Sequence, residues 1–197
     1  MTLFFRISIA LSLLALLPFP ASAHTTADMG SGFMAGLTHP LLGLDHLLAM
    51  LSVGIVSTQL IYRYAIWTLP ATFVLVMIVG GAIGMSYGSA DGIETGIAIS
   101  VLLLGTSIFF GSRLPVALIY GCVGFFGFFH GYAHGAEMPE QAEAGMFMLG
   151  FICATITIHL AGVSVGLFST HIHDGREYLR FAGGMIAGVG MHLLIAG

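Results

Sequence analysis

The chain has 197 residues, of which 57% are hydrophobic and only 7% are charged, and its formal net charge is −4. A water-soluble domain carries about 25% charged residues, so this chain has too few charged groups to cover a surface in water. All the basic residues are Arg, which excludes Lys-based covalent catalysis, and no basic patch indicates a nucleic-acid partner. The composition therefore predicts an integral membrane protein.

The first 23 residues have the three parts of a cleavable signal peptide. Arg6 supplies the positive start, an apolar stretch follows over 7–17, and 21–23 is a small-residue cleavage site. Cleavage after Ala23 makes His24 the mature N-terminus, where an amine and an imidazole offer a chelating pair. A loose terminal residue is the alternative interpretation of His24. The chain thus divides into a signal peptide, 1–23, and a transmembrane domain, 24–197.

Apolar stretches long enough to span a bilayer follow the signal peptide. Six such spans are predicted, over 32–60, 65–85, 93–111, 114–134, 144–168 and 179–196. The predicted fold is therefore an all-α membrane protein with six transmembrane helices. Pro40 removes one helix hydrogen bond, which predicts a kink or break in the first span near His39. The pairs Gly80-Gly81 and Gly183-Gly184 predict close helix packing.

The charged residues predict the orientation of the spans. With the mature N-terminus outside, the loops after spans one, three and five face the cytoplasm, and this side holds the basic residues of the mature chain: Arg63, Arg113, Arg176 and Arg180. The external segments hold acidic residues: Asp28, Asp91, Glu94, Glu137, Glu140 and Glu143. This distribution obeys the positive-inside rule and predicts that both termini lie outside.

Two polar motifs interrupt the apolar spans at similar depth, one in the outer half of span one and one at the outer end of span four. They contain the candidate metal ligands: His39, Asp45, His46, His130, His134 and Glu137. Ionisable side chains are costly in hydrocarbon, so such groups indicate function by default. If spans one and four are neighbours, the two motifs meet and bind a divalent transition metal.

Spacing within each motif gives more detail but leaves alternatives open. His39 and His46 are seven residues apart, which places them on one face of a regular helix, whereas a kink at Pro40 folds one toward the other. Asp45 is either a ligand or the residue that orients an imidazole. In the second motif the two His and Glu137 share one helical stripe. Gly131 and Gly135 leave room beside them for an ion or for another helix.

The donor set is rich in imidazole, which suits Ni, Co, Cu, Zn and Fe. Ni²⁺ and Co²⁺ fit, and ligand type does not separate them from Zn²⁺. The 11 Met residues could instead favour copper, whose soft ions bind thioethers. They are, however, scattered through the apolar spans, as residues that only fill space in packing are. His159, near the middle of span five, is either a further step on the ion's route or a helix–helix hydrogen-bonding group.

At these residues the sequence resembles the HupE/UreJ family of nickel and cobalt permeases. The resemblance rests on His39-Pro40-x-x-Gly43-x-Asp45-His46 and on Phe129-His130-Gly131-x-Ala133-His134-Gly135-x-Glu137. The length, the signal peptide and the six spans also fit, so the resemblance covers the whole chain. It implies a multi-pass permease of the bacterial inner membrane that brings Ni²⁺ or Co²⁺ inward.

The leading hypothesis is thus a metal-ion permease and not an enzyme, with a divalent ion as substrate and the lipid bilayer as partner. A homo-oligomer is compatible with the composition. His24, Glu140 and Glu143 are expected to help capture the ion outside. One rival is an intramembrane zinc-dependent hydrolase with Glu137 as base. Another is a membrane protein that binds haem through axial His pairs.

Overall fold

The structure is a computed structural model that describes residues 32–111, 114–140 and 142–196. The predicted signal peptide, His24 and Arg113 lie outside these residues. The described part of the chain is all-helical, as predicted. Its seven helices are α1 (Gly32–Leu42), α2 (Leu44–Gln59), α3 (Ala65–Tyr87), α4 (Ile93–Phe110), α5 (Val116–Ala136), α6 (Ala144–Ser169) and α7 (Gly175–Ala196).

Five of these helices, α3 to α7, are long and apolar enough to cross a membrane. The helices α1 and α2 pass the same criterion only as a pair, and they are bent by 84° relative to each other. The first predicted span is therefore two helices joined at a sharp corner. The bounds of the other spans agree with the prediction to within a few residues, because long apolar runs bounded by polar turns are a strong signal.

The corner between α1 and α2 is at Gly43, not near His39 as Pro40 predicts. Pro40 lies inside α1, which continues to Leu42, and Gly43 has extended backbone angles of φ −92° and ψ 113°. A Cβ at Gly43 would lie 2.9 Å from Nδ1 of His46 and 3.0 Å from Oδ1 of Asp45. Glycine is needed at this corner because any side chain would displace the Asp45–His46 pair.

Glycine residues bring the helices into close pairs. A Cβ at Gly80 would lie 2.2 Å from the carbonyl oxygen of Phe128, so the Gly80-Gly81 region packs α3 against α5 as predicted. A Cβ at Gly183 would lie 2.7 Å from the carbonyl oxygen of Gly105, which pairs α7 with α4. Gly184 faces the ring of Phe109 on α4, where a Cβ would make an ordinary contact at 3.6 Å, so only Gly183 of this pair requires a glycine. Small residues let backbones approach in this way in membranes.

The helix α7 begins at Gly175, four residues before the predicted start of span six. Arg176, predicted in the cytoplasmic loop, therefore lies in the first turn of α7. Arg180 lies in the same helix, and its Nε donates to the carbonyl oxygen of Phe109 at 3.1 Å. Charged residues lower the local hydropathy, so the span predicted from apolar residues begins after this first turn.

Candidate metal centre

Four helix ends meet on one side of the bundle around a cavity of about 120 Å³. The cavity is lined by His39, Leu42, Gly43, Asp45, His46, Glu94, His134 and Glu137. The corner between α1 and α2 supplies one wall, the C-terminal end of α5 supplies another, and the first turn of α4 supplies Glu94. The structure therefore brings the two sequence motifs together, as their similar depth predicts.

Three side chains at the mouth of the cavity have the spacing of a metal site. The ligand atoms of His39, His134 and Glu137 all lie within 4.8 Å of one another. Nε2 of His39 is 3.2 Å from Oε2 of Glu137, and the rings of His39 and His134 are 4.7 Å apart. Glu137 follows the last residue of α5 and extends its stripe. This group has one partly exposed carboxylate and two imidazoles, a donor set that suits borderline transition metals.

His46 lies beside this group and is held by its neighbour. Oδ1 of Asp45 is 2.8 Å from Nδ1 of His46 and accepts from the backbone N–H of His46 at 2.8 Å. A carboxylate on Nδ1 favours the tautomer that leaves Nε2 free as a ligand atom. The ring of His46 is 4.3 Å from that of His134. Asp45 therefore has the geometry of an orienting residue.

His130 lies deeper in the bundle, one turn before His134 on α5. Its ring is 4.9 Å from that of His46, and its Nε2 is 2.9 Å from Oγ of Ser100 on α4. His130 is fully buried. The rings of His39, His134, His46 and His130 thus form a continuous series from the cavity mouth into the core.

Buried imidazole nitrogens in this series lack hydrogen bonds. Among the described residues, no partner is found for Nε2 of His46, Nδ1 of His130, and both ring nitrogens of His134. Buried polar groups nearly always have partners, so unpaired atoms of this kind need an explanation. Imidazole nitrogens without a hydrogen-bond partner, close to several other imidazoles, are available as metal ligands.

The helix ends give the centre a balanced electrostatic environment. The C-terminal ends of α1 and α5 bring partial negative charge, which favours a cation. The N-terminal ends of α2 and α4 bring partial positive charge, and each carries an acidic residue in its first turn, Asp45 and Glu94 respectively. Each of these carboxylates offsets the unfavourable end of its own helix.

Sequence reasoning missed Glu94 as a member of the centre and treated it only as an external acidic residue. Its position in the first turn of an apolar span was the available signal. Glu143, expected to help capture the ion, instead caps α6, where its carboxylate accepts from the N–H groups of Gly145 and Met146, each at 2.9 Å. Gly131 and Gly135 leave room for a helix and not for an ion, since both face the backbone of α3.

His159 is buried but is separated from the other imidazoles by an aromatic ring. The Phe73 ring lies 5.4 Å from that of His130 and 5.1 Å from that of His159. Neither nitrogen of His159 has a hydrogen-bond partner among the described residues. The structure therefore does not bring His159 into direct contact with the candidate centre.

Comparison with known proteins agrees with this arrangement. The HupE / UreJ protein family matches residues 11–193 of the chain. The chain belongs to the HupE/UreJ family. Protein HupE of Rhizobium leguminosarum bv. viciae is 38% identical over 184 residues, which cover 92% of this chain and 95% of that protein. No solved structure matches the chain significantly.

Membership of the HupE/UreJ family settles the broad class of the protein. The family consists of transporters linked to nickel and cobalt and not of enzymes. The chain is accordingly a multi-pass protein of the bacterial inner membrane. The hydrolase alternative has no support from the family.

Proposed function

We propose that the chain carries Ni²⁺, or Co²⁺, inward across the inner membrane through the centre around its cavity. The proposed ligands are His39, His46, His130, His134 and Glu137, and Asp45 is proposed to orient the ring of His46. The observation that carries this proposal is the group of His39, His134 and Glu137, whose ligand atoms lie within 4.8 Å of one another beside a cavity. Unpaired imidazole nitrogens next to this group add further ligand atoms.

The ligands act at successive depths. His39, His134 and Glu137 take the ion first, because Glu137 is the most exposed of the three at 43% of its side chain. His46 then replaces one ligand, with Asp45 holding its ring. His130, the deepest of the series, receives the ion last. Each step exchanges one imidazole for another, so the ion is never left without a nitrogen donor.

The orientation follows from the same arrangement. We infer that the cavity and both termini lie outside: if α1 and α2 form one broken span, the described helices make six spans, and the positive-inside rule favours this orientation. A broken helix with its ends beside a cavity is also how many transporters build ion sites. Cleavage of the signal peptide 1–23, and a contribution of His24 to capture, belong to the same proposal.

The test is uptake of radiolabelled Ni²⁺ by cells that express the chain, with Co²⁺ and Zn²⁺ as competitors. We expect saturable uptake that His46→Ala and His130→Ala abolish, because each removes an imidazole from the series. His192→Ala is the matched control, since His192 is an exposed residue of α7, away from the cavity. The order of competition assigns the metal.

Two outcomes would contradict the proposal. Uptake that persists in both His→Ala variants would show that the ion does not pass this centre. Absence of uptake in the unmodified chain, at an expression level where the family relative transports, would show that the chain does not carry these ions. Folded protein in every variant is measured by size-exclusion chromatography in detergent, so that a loss of protein is not read as a loss of transport.

A further inference from the structure

Two buried hydroxyl groups in the core behave differently from the others. Serine and threonine side chains within membrane helices usually donate to a carbonyl oxygen one turn earlier. Ser57, Thr155 and Ser169 do so, at 2.6, 2.9 and 2.7 Å. Ser52 and Ser107 are also buried, yet their Oγ atoms have no partner among the described residues. A hydroxyl in this state is free to bind something else.

Ser52 belongs to a polar stripe along α2. Asp45, Ser52 and Gln59 are spaced by seven residues, so they lie on nearly the same face of the helix. Gly54 marks the side of α2 that packs on α6, because its Cβ would lie 2.2 Å from the carbonyl oxygen of His159. Ser52 and Gln59 lie roughly 150° around the helix from Gly54. The stripe therefore faces away from α6.

Gln59 shows which helix the stripe faces. Its Nε2 donates to the carbonyl oxygen of Ile108 on α4 at 3.3 Å, while its Oε1 is buried and has no partner among the described residues. Gln59 thus lies level with Ile108, the residue that follows Ser107. This contact identifies the interface between α2 and α4 as the place where the stripe lies.

A second stripe runs along α4. Ser100 and Ser107 are also seven residues apart, and both lie roughly 150° around α4 from Gly105, which packs on α7. Ser100 contacts Nε2 of His130, the deepest imidazole of the centre, at 2.9 Å. The α4 stripe therefore starts at the candidate metal centre and runs toward the opposite side of the bundle.

The two stripes have matching levels. Gln59 contacts Ile108, the residue after Ser107. Seven residues earlier on each helix are Ser52 on α2 and the residue after Ser100 on α4. Another step reaches Asp45 and the first turn of α4, which both border the cavity. Successive levels are about 10 Å apart along the helices, since each residue rises 1.5 Å.

We propose that the ion leaves the metal centre along the interface between α2 and α4, through the oxygen atoms of Ser100, Ser52, Ser107 and Gln59. This inference rests on the proposed transport of Ni²⁺ or Co²⁺ and specifies its inner half. The difference in metal affinity between imidazole nitrogens and neutral oxygens supports movement from the metal centre toward the inside. Imidazoles bind these ions firmly, whereas neutral hydroxyl and amide oxygens bind them weakly. An ion must be bound firmly enough to enter and weakly enough to leave.

The rival route passes Phe73 to His159. It places a phenyl ring between the two imidazoles. Beyond the ring, His159 borders a groove whose other lining side chains are apolar, including Pro70, Val74 and Leu160. Such a surface offers no oxygen donor for an ion that leaves His159. The α2–α4 interface carries oxygen atoms at Ser100, Ser52, Ser107 and Gln59, so it is the better route.

The experiment replaces each of the two serines in turn by Thr and by Val, which have nearly the same shape. Ser52→Thr and Ser107→Thr keep the hydroxyl, whereas Ser52→Val and Ser107→Val remove it at the same volume. The initial rate of radiolabelled Ni²⁺ uptake by cells, and equilibrium Ni²⁺ binding to the purified protein, are measured for each. Ser57→Thr and Ser57→Val form the matched control, because Ser57 is buried on the same helix and donates to its own backbone.

We expect each Val variant at positions 52 and 107 to transport about fivefold or more slowly than its Thr partner, while Ni²⁺ binding stays within about twofold. The Ser57 pair should show equal rates. Equal rates within the Ser52 pair and within the Ser107 pair would overturn the route. Loss of transport in His159→Leu would then favour the route past Phe73 and His159. Absence of uptake by the unmodified chain would instead overturn the proposed function itself.

Discussion

Gly131 fixes the distance between α3 and α5, so Gly131→Ala should disable the metal centre without touching a ligand. A Cβ at this position would lie 1.9 Å from the carbonyl oxygen of Met77 and 2.9 Å from the backbone nitrogen of Gly81. Both obstacles are backbone atoms, which a change of rotamer does not move. To reach an ordinary contact of about 3.4 Å, the two helices must separate by about 1.5 Å.

This displacement is large for a metal site, because ligand distances must hold to about 0.2 Å. Gly131 lies between His130 and His134, so a shift of α5 away from α3 changes the distances from both imidazoles to those of α1 and α2. We expect uptake of Ni²⁺ to fall by about tenfold or more, the usual cost of misplacing a ligand through its supporting residues. Overpacking should also cost about 1–3 kcal/mol of stability.

The assay is radiolabelled Ni²⁺ uptake divided by the amount of folded protein, with thermal unfolding in detergent as the second measurement. Gly121→Ala is the matched control on the same helix, since a Cβ there meets nothing within 4 Å. It should transport like the unmodified chain. Normal uptake by Gly131→Ala, at normal expression, would refute the reasoning that this close approach positions the imidazoles.

Three further predictions test other parts of the centre. Uptake should decline as the external pH falls from about 7 to 5, because an imidazole must be neutral to bind a metal and protons compete with the ion for its nitrogen; a flat pH profile of initial rates would contradict this. Asp45→Asn should raise the Ni²⁺ concentration at half-maximal uptake by about tenfold, since the amide orients the ring of His46 less firmly; an unchanged saturation curve would show that the pair is dispensable. Glu143→Ala should lower the free energy of unfolding by about 1 kcal/mol, because α6 loses its cap, while the Ni²⁺ concentration at half-maximal uptake stays unchanged. A rise in that concentration would instead give Glu143 a role in capture.

Much of the architecture could be predicted from hydropathy alone. The predicted span 65–85 is the helix Ala65–Tyr87, and the predicted span 144–168 is Ala144–Ser169. Such segments are apolar over their whole length and bounded by polar turns, so no tertiary information is needed. The similar depth of the two motifs was also predictable, whereas the adjacency of their helices depends on tertiary contacts that the sequence does not specify.

The details of the centre depended on contacts between distant residues. Pro40 was the obvious breaking point, yet the corner lies at Gly43, where the Asp45–His46 pair fills the space of a side chain. The regular-helix interpretation of His39 and His46 was accordingly wrong, whereas the folded alternative agrees with the corner. Glu94 joins the cavity only because α4 packs beside α2, and no local pattern in the sequence specifies that neighbour.

The close glycine packing has a mechanical consequence. Three of the proposed ligands lie on α5 or directly after it, and α5 packs closely on α3; the other two lie on α1 and α2, which pack on α6. An ion bound at the proposed centre would join these two groups of packed helices and would restrict their relative motion for as long as it stays. An ion bound too tightly would hold the two groups together, and its release would remove that restraint.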